Sequence, residues 1–130
     1  MKLAQHLKLL QGRQLITKEL ADITLCVEQR LHHYWRVDVN TKQVKMALVH
    51  LAMALGRIKR GYAAQPLHKD IYAEIKSAVC FSQVLIIHRD VLSFIPFDIP
   101  ESEQTHLIAN WYSFILAQPW ISFTPLSPTE

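Results

Sequence analysis

His50 and Arg57 stand seven residues apart and are the pair most able to do chemistry. Imidazole is a good nucleophile near neutral pH, and a guanidinium grips phosphate oxygens through two parallel N–H bonds. On a helix, seven residues rise about 10.5 Å, close to two turns, so both side chains lie on nearly the same face. The chemistry this spacing allows is acceptance of a phosphoryl group by His50, with Arg57 stabilising the added charge. By residue type alone, an ordinary histidine at the edge of a packed helix is the commoner explanation.

The remaining reactive residues suggest little. His32 and His33 are adjacent, so on a helix they point about 100° apart and cannot readily share a metal. They are expected to be solvated or partly buried. His88 lies in the most apolar stretch and is expected to be a core histidine with its hydrogen bonds met; His6 and His68 read as surface residues. Cys26 and Cys80 form no CxxC pair and fall in apolar helical patterns, which predicts buried free thiols in a reducing compartment. The serines lack a GxSxG turn, and no GxGxxG, P-loop or HExxH occurs. The expectation is therefore a protein that is not an enzyme, with no cofactor and no metal.

The elements that must position His50 are helices. Thr17 is a plausible N-cap, after which Leu20, Ile23, Val27, Leu31 and Tyr34 recur at helical spacing to about Trp35. Glu19 and Asp22 suit that helix's first turn. Asn40 is the expected cap of the clearest helix, with Gln43 completing a capping box. Its stripe runs through Val44, Ala47, Leu48, Leu51, Ala54, Leu55 and Ile58 to about Arg60, where Gly61 can take the left-handed conformation. His50 falls about 90° from the centre of that stripe, beside Met46, Met53 and Arg57, which puts it at the rim of the core. A short helix is predicted over about 67–77 and a longer one, buried on much of its circumference, over about 78–94. Pro100 is expected in the first turn of a last helix that carries Leu107, Trp111 and Phe114 and ends at Gln118.

Composition agrees with an all-α bundle of about five helices. Half of the 130 residues are apolar and only 3 are Gly, which argues against disorder and against a turn-rich β fold. Three segments are expected: an N-terminal arm or short helix over 1–14, a helical domain over 15–118 and a tail over 119–130, in which Trp120, Ile121 and Phe123 could dock. The opening residues lack a signal peptide's apolar core, and no apolar run reaches a membrane span, so a cytoplasmic protein is expected. A formal net charge of +3 is mildly basic. The run Arg57, Lys59 and Arg60 reads as a cationic helix end that complements the macrodipole, or as a phosphate-binding patch.

The segment VHLAMALGRIKRG, from Val49 to Gly61, resembles the first signature of the PTS regulation domain (PRD) family, with His50, Leu51, Ala54, Arg57 and Gly61 as the matching residues. FIPFDIPESE, from Phe94 to Glu103, is similar to that family's turn into its last helix, and the match spans roughly residues 15–117. The resemblance implies a compact five-helix bundle that commonly pairs as a homodimer. It implies phosphorylation of His50, steadied by Arg57, with HPr or an enzyme IIB of the sugar phosphotransferase system as donor. The second histidine of the family aligns with Asn110, and His106 is expected to face elsewhere. With no output module in view, a single stand-alone domain is expected, associating with itself or with a PRD-containing regulator of sugar-utilisation genes.

Two other classes stay open. One is a helical interaction protein of the same fold that is no longer phosphorylated. The other, less favoured, is nucleic-acid binding through Arg57, Lys59, Arg60 and Lys69.

Overall fold

The structure is a computed structural model that describes residues 1–121. Six helices make up the described fold: α1 (Leu3–Gly12), α2 (Lys18–His33), α3 (Lys42–Lys59), α4 (Lys69–Lys76), α5 (Phe81–Leu92) and α6 (Glu101–Ala117). The all-α bundle expected from the sequence is what forms, with one helix more than the five anticipated. The extra one is α1, whose Leu3, Leu7 and Leu10 are buried against α2 and α3.

Local chemistry sets the helix ends. Thr17 accepts from the Leu20 N–H at 3.2 Å, as its residue type suggests. Asp22 pairs with Lys18 one turn earlier, at 2.9 Å. At α3 the cap is Thr41, not Asn40: the Thr41 hydroxyl accepts from the Val44 N–H at 3.3 Å. Asn40 is occupied in the preceding turn, where its N–H donates to Asp38 Oδ1 at 3.0 Å. The α3 C-terminus closes as expected. Gly61 adopts φ +87°, Tyr62 N–H reaches the Arg57 carbonyl at 2.9 Å and Gly61 N–H reaches Ile58 at 3.0 Å. These two bonds make a Schellman motif. Pro100 precedes α6 as its N-cap and does not sit inside its first turn.

The core is organised around α3 and α6. Helices α1 and α2 pack on α3, while α4 and α5 pack on α6. Helix α5 is shorter than the apolar run that suggested it and buries one face only, through Val84, Ile87, His88 and Val91. Val79 falls in the turn before it and is fully exposed, and Ile86 is exposed as well. Two polar clamps join distant segments. Arg30 grips Asp90 through Nε and Nη2 at 2.9 and 3.0 Å, with Trp35 Nε1 donating to the same carboxylate at 2.9 Å. Gln118, buried at the end of α6, accepts from the Asp38 N–H at 2.8 Å and donates to the Asp38 carbonyl at 3.0 Å.

A close approach also fixes α3 against the α1–α2 turn. The Leu15 carbonyl lies so near Gly56 that any Cβ there would collide with it. Arg60 Nη1 donates to the same carbonyl at 2.6 Å. Beyond α6, Ile121 is buried and Trp120 is exposed, while Phe123 lies outside the described residues. No single helix among the described residues is long and apolar enough to cross a membrane.

Candidate functional site

Helices α3 and α6 leave an open groove of about 480 Å³ along one side of their contact. His50, Met53, Ala54 and Arg57 come from α3, and Glu103, His106, Leu107 and Asn110 from α6. Ala64 and Leu67 contribute from the connection between α3 and α4. The sequence folds this way because Leu51, Ala54 and Leu55 bury one face of α3, which turns the neighbouring face toward the groove.

His50 is exposed, at the rim of the core as its wheel position implies. Its Nδ1 lies 3.3 Å from Asn110 Oδ1. Arg57 lines the same groove, but its guanidinium already has a partner. Nε donates to Glu103 Oε2 and Nη2 to Glu103 Oε1, both at 2.9 Å. The Glu103 side chain is 0% exposed and also accepts from the Ala64 N–H at 2.9 Å. Burial pushes the Glu103 carboxyl up. The Arg57 hydrogen bonds, the Ala64 N–H and the nearby charges of Arg57 and His106 outweigh it, and the group ends below its ordinary value. Glu103 is thus a buried carboxylate held in its charged form by Arg57 and the Ala64 N–H.

His106 corrects the sequence reading. It lines the groove together with His50, because 103, 106, 107 and 110 share one face of α6. Its Nε2 donates to the Gln65 carbonyl at 2.6 Å. With Leu67 N–H donating to Thr105 Oγ1 at 2.9 Å, three α6 side chains strap residues 64–67 onto the helix.

In the sequence Glu103 stands out only as the last residue of the FIPFDIPESE motif. A signal was present: Glu103 falls on the buried stripe with Leu107, Trp111 and Phe114. A carboxylate there requires a cation.

The other expected residues lie apart from the groove. His88 is buried and satisfied: its Nδ1 accepts from Trp111 Nε1 at 3.1 Å and its Nε2 donates to Gln104 Oε1 at 2.9 Å. His32 and His33 are exposed; His68 is exposed and caps α4, and His6 is half-buried. Cys26 is exposed and Cys80 half-buried, against the expectation of two buried thiols. Cys26 stands on the outer side of α2, while Thr24 and Val27 take the inward positions. The cationic run does not form one patch. Arg57 faces Glu103, Arg60 faces Leu15, and Lys59 lies 4.7 Å from the centre of the Phe97 ring. Among the described residues no group of three His, Cys, Asp or Glu could hold a metal ion.

An uncharacterized protein of Haemophilus influenzae is 44% identical over 118 residues, covering 91% of this chain and 94% of that protein. The chain belongs to the same family as this protein. The uncharacterized protein YhfY of Escherichia coli K12 is more distant, 28% identical over 112 residues, which cover 86% of this chain and 93% of YhfY. No protein-family model and no solved structure matches the chain. The names of these two relatives carry no activity, so the resemblance to the PTS regulation domain rests on its two motifs.

Proposed function

We propose that this chain is a regulatory module of the bacterial sugar phosphotransferase system. His50 accepts a phosphoryl group from HPr or an enzyme IIB, and the phosphorylated state is read as a change in association with a second copy or with a PRD-containing regulator. Transcription of sugar-utilisation genes is the output of this reading. The observation that supports it is an exposed imidazole on a groove that also holds a guanidinium. A phosphoryl group adds nearly two negative charges, which a groove between two helices would register in both packing and charge.

The test is phosphoryl transfer from phosphoenolpyruvate through enzyme I and HPr, with and without an enzyme IIB. Label on the wild type and none on His50→Ala is the expected result. Absence of label on the wild type with every donor would remove the proposal.

A second reading has its own support. Arg57 is already paired with Glu103, and Asn110 stands where the resemblance puts a second histidine. Both features suit a helical interaction protein of this fold that is not phosphorylated. Direct nucleic-acid binding is weakened by the separate partners of Arg57, Lys59 and Arg60.

A further inference from the structure

The groove holds two imidazoles that face acceptor oxygens through different ring nitrogens. His106 Nε2 faces the Gln65 carbonyl at 2.6 Å, and a carbonyl only accepts, so the proton of neutral His106 is on Nε2. His50 presents Nδ1, not Nε2, to an oxygen that only accepts, Asn110 Oδ1 at 3.3 Å. With the Asn110 oxygen turned to it, neutral His50 carries its proton on Nδ1 and leaves the Nε2 lone pair free. No hydrogen bond from another described residue engages that Nε2, and the side chain is exposed. A free neutral histidine keeps its proton mostly on Nε2, so Asn110 reverses the intrinsic preference.

From this geometry we infer that Asn110 is a positioning residue that fixes His50 as the Nδ1–H tautomer and makes Nε2 the phosphoacceptor atom. The inference rests on the reading of His50 as a phosphorylation site and adds the atom and the residue that selects it. The step balances without a further reactant. The His50 Nε2 lone pair attacks the phosphorus of a donor phosphohistidine, whose ring is protonated on its other nitrogen. The donor P–N bond breaks and its electron pair returns to the donor ring, which leaves as neutral imidazole. The His50 ring becomes the phosphoimidazolium, and its proton stays on Nδ1, donated in a hydrogen bond to the Asn110 oxygen throughout. Asn110 thus acts from the position where the family resemblance expects a second acceptor.

Nitrogen-15 NMR of the unphosphorylated protein, at a pH where imidazole is neutral, reads the tautomer with no donor present. His50 is expected as Nδ1–H, while His88 and His106 serve as Nε2–H references in the same molecule. Asn110→Ala should return His50 to mostly Nε2–H, and Asn110→Asp, which keeps an acceptor oxygen, should restore Nδ1–H. Phosphorus-31 NMR of the protein labelled by HPr or enzyme IIB should show Nε2-phosphohistidine, and Asn110→Ala should slow its formation about fivefold, the loss of one hydrogen bond. A wild-type His50 found as Nε2–H would overturn the inference, as would label on Nδ1, which leaves the functional proposal standing. An Nδ1–H His50 that no donor labels would overturn both.

Discussion

At the residue scale, the groove turns on who holds Arg57. Its fork spans both oxygens of a carboxylate that no water reaches. Removing the partly exposed Arg57 strands the buried Glu103 charge, so Arg57→Ala should cost about 3 kcal/mol of stability, the low end for a buried pair, measured by urea unfolding. Arg57→Gly removes the same fork and adds a helix-interior glycine, which costs about 1 kcal/mol more. The residues of this groove were unevenly legible in the sequence. His50 and Arg57 are visible as a nucleophile and a cation two turns apart on one predicted helix, which is local information. Glu103 as the partner of Arg57 is not local, because it lies 46 positions away. Only its place on an apolar stripe hinted at burial. His106 lies three residues beyond Glu103, a spacing that keeps the same helix face, so the expectation that it faces elsewhere fails on helix geometry.

At the element scale, the helices were read from their stripes and the errors fall at their ends. Asn40 and Thr41 are both good caps by type, and a one-residue choice between them depends on the turn before. Asp38 captures the Asn40 N–H and leaves Thr41 to cap. Thr41→Ala should therefore destabilise the protein by about 1 kcal/mol. Asn40→Ala should cost only a few tenths, since its side chain is not the cap. Thermal unfolding of the two variants compares them directly. Helix α5 shows a different limit. A run of apolar residues suggests burial over much of the circumference, yet four of its residues are buried, with Phe81, Leu85 and Leu92 only partly covered at the edge of the core. Periodicity identifies a helix but does not count its neighbours, and α5 has α6 on one side with solvent over Ile86.

At the scale of the whole molecule, two buried titrating groups, His88 and Glu103, tie stability to pH. Burial lowers His88 from its ordinary 6.5, with the Gln104 hydrogen bond opposing and Arg89 assisting. As pH falls below about 6.5 the unfolded chain takes up this proton before the folded one does, so stability falls. Stability from this source is complete above that value and is lost as pH falls toward the lowered folded value. Glu103 acts in the same direction at lower pH. Its folded value lies below the ordinary 4.5, so the stability it supplies is present above that value and is lost as pH falls through the folded value. Urea unfolding as a function of pH should show a decline beginning near 6.5 and a second one below 4.5. His88→Gln should remove the first and keep the second. A protein whose stability is flat from neutral pH to 5 would contradict the buried neutral imidazole. The helical architecture was legible from composition and periodicity, whereas these long-range polar pairings were not, since they depend on which helices meet.

The contact between Gly56 and the Leu15 carbonyl bears on stability. One missing carbon sets the gauge between the central helix and the N-terminal helical pair, at a site whose own side chain would never enter the groove. A methyl group placed there meets backbone, so the two must move apart and the protein is destabilised at every temperature. Gly56→Ala is thus expected to lower the melting temperature while every groove side chain keeps its identity, which thermal unfolding would measure.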